Sequence, residues 1–153
     1  MKIYYWSPFT SHVATIKAVI NSAHGLKKIF QYDTSIINSF GEWREYKKEI
    51  RHKKIGILNN PKKTSIKFTQ GYLNSRITFI KIFFHSFFYL RKVLNKDKPD
   101  YLVIHLITSL PLFLFLIFNF ETKLVLRISG MPKFNFFRRF FWKISKKNIS
   151  FIT

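Results

Sequence analysis

His105 follows the run Tyr101-Leu102-Val103-Ile104, which places it at the carboxyl end of a candidate strand. Open α/β sheets bind their ligands at that edge, so His105 is a candidate ligand contact. The plainer alternative is a buried histidine bonded to a backbone carbonyl. Arg127 also closes a candidate strand, and Ser129-Gly130 beside it can present backbone amides. A guanidinium there can grip a phosphate or carboxylate through two parallel hydrogen bonds; an ion pair with a neighbouring acid is the competing reading. Gly41-Glu42-Trp43 reads as a solvated charged turn, with a ligand contact as the alternative. The chain carries no GxGxxG, P-loop or HExxH motif and no Ser-His-Asp constellation. With no cysteine it has neither a disulfide framework nor a thiolate metal site, in keeping with a reducing compartment.

The elements that must hold these residues alternate in type. Lys2–Trp6 reads as a first strand, cut by Ser7-Pro8. Apolar residues at Val13, Ile16, Val19, Ile20, Ala23 and Leu26 have helical spacing, with Thr10 or Ser11 as cap and Gly25 near the end. Lys28–Tyr32 is expected to be the second strand and Ile55–Leu58 the third, with a charged helix or loop over 42–54. A helix is expected over 77–94, with Ile80, Phe83, Phe84, Phe87, Leu90 and Leu94 down one side; Pro99 ends it. The apolar run over 100–106 reads as a buried parallel strand, and Thr108-Ser109-Leu110-Pro111 as a helix start. A strand over 123–128, a helix over 134–147 and a strand from Ile149 complete the chain. This alternation predicts a single Rossmann-like α/β domain over 1–153, a parallel sheet with helices on both faces.

Charge and hydropathy admit rival readings. A formal net charge of +20 attracts polyanions, whether nucleic acid, anionic lipid or phosphorylated substrates. A basic nucleic-acid-binding protein is therefore one alternative, although the basic residues are spread along the chain. A small integral membrane protein is the other, because Tyr101 to Phe120 holds no formally charged residue over twenty positions. Against a span, His105 would lie deep in lipid and helix-start chemistry would fall at the bilayer midplane. On a helical wheel of 134–147, Phe136, Phe137, Phe140, Phe141 and Ile144 share one side. Arg138, Arg139, Lys143, Lys146 and Lys147 fall mainly on the other, with Trp142 among them. That pattern suits either a helix on an anionic lipid surface or one with its phenylalanines in the core.

Four segments together resemble the first domain of bacterial family 4 glycosyltransferases. They are Ser7-Pro8-Phe9 leading into Val13-Ala14-Thr15-Ile16-Lys17-Ala18-Val19-Ile20-Asn21-Ser22-Ala23; Pro99 through Pro111 with its strand, histidine and helix; Arg127-Ile128-Ser129-Gly130-Met131-Pro132; and Phe151-Ile152-Thr153. The resemblance implies the N-terminal, acceptor-side half of a GT-B architecture, with the C-terminal nucleotide-sugar domain and its E-x7-E pair absent from this chain. It implies transfer from a nucleotide-sugar, with retention, to a lipid-linked or envelope polysaccharide acceptor at the inner face of the cell membrane. A missing domain or partner chain would complete the enzyme, and this chain alone would be inactive. It implies no cofactor and no bound metal. His105 becomes the catalytic candidate, touching the transferring sugar or orienting the acceptor. His12, Thr15, Arg127, Ser129 and Gly130 become substrate-binding candidates. One departure stands out: Ala14 occupies the position where relatives carry glycine beside the donor diphosphate, and a Cβ restricts left-handed backbone and close approach.

Overall fold

Among the described residues six strands and five α-helices alternate. The strands are β1 (Lys2–Trp6), β2 (Asp33–Asn38), β3 (Gly56–Asn59), β4 (Tyr101–Ile104), β5 (Lys123–Leu126) and β6 (Ile149–Ile152). The helices are α1 (Thr15–Phe30), α2 (Lys47–His52), α3 (Tyr72–Asp97), α4 (Ser109–Ile117) and α5 (Phe136–Ser145), the last followed by a 3₁₀ turn at Lys146–Asn148. This computed structural model describes residues 1–9, 11, 13–61, 72–128 and 136–152. Every strand pair is parallel and the spatial order is β3-β2-β1-β4-β5-β6. The winding therefore reverses between β1 and β4, the topological switch point of a doubly wound sheet.

Successive side chains of a strand point to opposite faces, and β1 divides the core accordingly. Ile3 and Tyr5 pack with Ile16, Val19, Ile20 and Ala23 of α1 and Ile50 of α2. Tyr4 and Trp6 pack with Leu90, Val93 and Leu94 of α3 and Leu110, Leu112 and Leu114 of α4. Helices thus cover both faces, as the alternation predicts.

Several local expectations need correction. Lys28–Tyr32 is not a strand: α1 runs through Gly25 to Phe30, and Gln31 closes it in the left-handed conformation (φ 57°), donating its backbone N–H to Lys27 O. The second strand is Asp33–Asn38 instead, and its buried positions include the small polar residues Thr34, Ser35 and Asn38. Ser35 packs there because Gly56 lies opposite on β3; a Cβ at that glycine would overlap Ser35 Oγ. Thr10 lies outside the described residues, and Ser11 is not the cap residue of α1. Its N-cap is Ala14, which makes no side-chain cap bond. Over residues 76–97 of α3 the buried residues are Thr78, Ile82, Ser86, Leu90, Val93 and Leu94, while Ile80 and Phe84 are exposed. The charge-free stretch 101–120 divides into β4, the 105–108 turn and α4. Among the described residues no helix is long and apolar enough to cross a membrane, so the spanning alternative lacks its helix.

Candidate functional site

The carboxyl ends of β1, β4 and β5 meet at the switch point. His105 continues the ladder beyond β4, its backbone N–H donating to Trp6 O at 3.2 Å, and Arg127 N–H does the same to Ile104 O at 3.0 Å. His105 is 2% exposed, and its ring lies 6.4 Å from the Tyr5 ring, centroid to centroid. Strand parity explains the meeting, since Tyr5, His105 and Arg127 all continue the rows directed at the α1 face of the sheet.

Two features mark this edge as more than a strand end. His105 Nε2 is buried without a hydrogen-bond partner, and the Oγ atoms of Ser7 and Ser109 share that state on the adjoining segments. Unsatisfied buried polar groups are uncommon and each calls for an explanation. The next residue, Leu106, adopts φ 64°, a conformation that costs a residue with a Cβ about 1 kcal/mol. Strain of this kind concentrates at functional sites. The carbonyl-bonded alternative for the His105 ring is thus not what holds Nε2. Burial, with a smaller contribution from the Arg127 charge, lowers the His105 pKa from 6.5 to about 4, so the imidazole is neutral at pH 7. Burial also raises the Tyr5 hydroxyl, against the lowering effects of its 2.9 Å bond with Ser22 Oγ and of Arg127.

Arg127 is half-buried, and its side chain has no acid partner among the described residues. The ion-pair alternative is therefore not realised there, and the guanidinium stands free beside a neutral histidine. Thr15 opens α1 on the same face of the sheet. Ala14 is right-handed helical (φ −55°, ψ −28°), so its Cβ is accommodated. His12, Ser129 and Gly130 lie outside the described residues.

Glu42 departs from its reading as a solvated turn residue. Its carboxylate accepts the backbone N–H groups of Ser39 (3.0 Å) and Phe40 (2.8 Å). Burial pushes its pKa up to about 7, against the lowering effect of those backbone bonds. It acts as an internal clamp on the turn after β2. Sequence reasoning also missed Tyr5 and Ser7; the available signal was that Ser7-Pro8 ends β1 at the carboxyl edge. Among the described residues no group of three or more His, Asp or Glu side chains is placed to hold a metal ion.

No protein-family model matches this chain, and no curated protein matches it either. Solved structures do share its fold. A glycosyltransferase from Glycyrrhiza uralensis, UGT73P12 in complex with glycyrrhetinic acid 3-O-monoglucuronide, superposes with a TM-score of 0.52 at 11% identity, over 85% of this chain and 28% of that one. MurG from Acinetobacter baumannii gives a TM-score of 0.48 at 9% identity, over 98% of this chain and 40% of that one. The chain thus shares the Rossmann-like α/β fold with the first of these structures, and it spans under half the length of either.

Proposed function

We propose that this chain is the acceptor-side domain of a sugar-nucleotide-dependent glycosyltransferase of the bacterial family 4 kind. A second domain or partner chain would bring the nucleotide-sugar to the carboxyl edge of the sheet. One observation carries the reading: at the topological switch point of a parallel α/β sheet, a neutral imidazole and a guanidinium meet, neither with a side-chain partner among the described residues. In this reading His105 Nε2 meets a sugar or acceptor hydroxyl, and Arg127 faces negative charge on donor or acceptor through its two-pronged donor geometry. Fixing both groups on strand ends holds the reacting atoms in register, which is the main contribution positioning can make. Retention of configuration and a lipid-linked or envelope glycan as acceptor complete the proposal.

We further propose that the domain works peripherally at the inner face of an anionic membrane. Helix α3 has 26 residues, roughly 39 Å, far longer than the sheet layer it packs on. It carries a second apolar stripe, Ile77, Ile80, Phe84 and Phe88, on the side away from the core. Phe113 and Ile117 of α4 and Phe136, Phe140 and Ile144 of α5 are exposed as well, and α4 packs against both neighbouring helices. Trp142 packs against the core, on a different side of α5 from the exposed Phe136 and Phe140. Exposed Lys81, Lys92, Arg139 and Lys143 stand among these residues. Apolar rings beside basic groups suit insertion at an anionic interface, where each basic residue contributes about 1 kcal/mol.

The test is a transfer assay on protein isolated through an affinity tag on this chain, with whatever domain or partner accompanies it. Labelled sugar nucleotides are supplied one at a time with membrane-lipid extract. A labelled lipid-extractable product that depends on one sugar nucleotide is expected; the absence of sugar transfer with every donor would contradict the reading.

A further inference from the structure

A cleft opens beside the switch point, at the carboxyl ends of β2 and β3. It has a volume of about 660 Å³ and is lined by Asn38, Phe40, Gly41, Arg44, Lys47, Asn59, Asn60 and Pro61. Its walls are fixed from within. The Asn38 amide donates to Asn59 Oδ1 at 2.8 Å and accepts the N–H groups of Gly41 (3.1 Å) and Trp43 (3.3 Å). Asn60 Nδ2 donates to Ser39 O at 3.0 Å, while Trp6 Nε1 donates to Ser39 Oγ at 2.9 Å and ties the turn to β1. The Glu42 clamp and the fully buried Trp43 complete the support.

The charged groups of the cleft are all of one sign. Among the described residues neither Arg44 nor Lys47 has an acid partner, and no acid lines the cleft. Gly41 explains how the guanidinium reaches its place. It adopts φ 98°, and a Cβ built there would stand 3.0 Å from Arg44 Nε. The glycine therefore serves both the turn and the close passage of the guanidinium across it.

We propose that this cleft binds an oxyanion, the carboxylate of an acidic sugar or the phosphate of a phosphosugar. Arg44 supplies a forked donor, Lys47 a point charge, and the asparagines donors to neighbouring hydroxyls. The binding claim stands on the cleft alone. Its corollary, that the acceptor glycan is anionic, rests on the glycosyltransferase reading above.

The test is calorimetric titration at physiological salt with glucuronate, glucose 1-phosphate and neutral glucose, and no sugar nucleotide present. Because the chain carries a net charge of +20, site variants are compared with a charge-matched control. Arg44→Ala with Lys47→Gln removes two charges at the cleft, and Lys27→Gln with Lys28→Gln removes two at the far end of α1. One-to-one binding of glucuronate or glucose 1-phosphate is expected, weakened at least tenfold in the cleft variant and unchanged in the control. Whichever probe binds identifies the oxyanion. Lys47→Gln alone, expected to weaken binding severalfold, serves if the double variant unfolds. Equal weakening in cleft variant and control, glucose binding as tightly as the anions, or no binding of either anion would overturn the proposal. Oxyanion binding without sugar transfer would sink the catalytic reading and leave the cleft; transfer without oxyanion binding would do the reverse.

Discussion

Replacing His105 by asparagine removes its titration and keeps a polar side chain, so the change reports directly on the buried neutral imidazole. The folded-state pKa of about 4 lies below the ordinary 6.5. Between those values the unfolded chain binds a proton that the folded chain refuses. The contribution to stability is thus complete above pH 6.5 and is lost as pH falls towards 4. At 1.36 kcal/mol per pH unit the shift sets an upper bound near 3 kcal/mol. Relaxation around a buried charge keeps the effective dielectric at about 20 and reduces the figure to about 1–2 kcal/mol. The assay is urea unfolding of wild type and His105→Asn at intervals from pH 4 to 7.5. The difference between the two proteins cancels every other titrating group. It should shift by about 1–2 kcal/mol in the wild type's disfavour as pH falls from 7.5 to 4, or about half to one molar in midpoint. A difference constant across that range would refute the burial argument, and one of opposite slope would mean that His105 is charged in the folded state.

Glu42→Gln probes the opposite sign. With its pKa raised from 4.5 to about 7, Glu42 favours the folded state below pH 4.5 and loses that contribution as pH rises to 7. The variant should therefore gain stability relative to wild type between pH 4.5 and 7 in the same urea series, and a flat difference would contradict the clamp's burial. Gly56→Ala should destabilise the chain by about 1–3 kcal/mol, because its Cβ meets Ser35 Oγ across the β2–β3 pairing; the Gly56→Ala, Ser35→Ala double variant should recover most of the loss in thermal melts. Liposome flotation should show binding that needs anionic lipid and fades with salt. Phe84→Ser with Phe88→Ser and Phe140→Ser should reduce it at least tenfold without lowering Tm, since these rings are 65%, 68% and 58% exposed. Binding that ignores lipid charge or these substitutions would remove the membrane face.

Much of this architecture is legible from residue types alone. Lys2–Trp6, Tyr101–Ile104 and Lys123–Leu126 announce themselves as strands because both of their faces are apolar or aromatic, as burial under helices demands. β2 hides for the converse reason. It buries Thr34, Ser35 and Asn38, using small polar side chains where an apolar run was expected, and Asn38 is kept for the cleft wall. The helix α3 misleads in a third way: it carries two apolar stripes, one buried and one exposed, so periodicity cannot tell its core face from its outer one. His105 and Arg127 could be placed at the carboxyl edge from strand ends alone. That Tyr5 and His105 meet depends on pairing between distant segments, which local pattern does not encode; that Glu42 clamps its own turn and that Arg44 lies across Gly41 depend on the turn's backbone geometry, which residue types alone do not reveal. The alternation of the sequence and the observed sheet agree on a Rossmann-like parallel fold with helices on both faces.

The central claim is that the carboxyl edge of this sheet, at the β1–β4 switch point, receives the glycosyl acceptor. Photoaffinity labelling tests it most directly. Membrane-lipid extract carrying diazirine-tagged glycolipid acceptors is irradiated with the natively isolated protein, and adducts are mapped by mass spectrometry. The account predicts adducts on residues 5–9, 105–109 and 127–128, competed by untagged extract and reduced in His105→Ala protein that melts within about 3 °C of wild type. Adducts confined to the opposite edge, around Asp33, Asp100 and Glu121, or competed labelling that His105→Ala leaves unchanged, would contradict it.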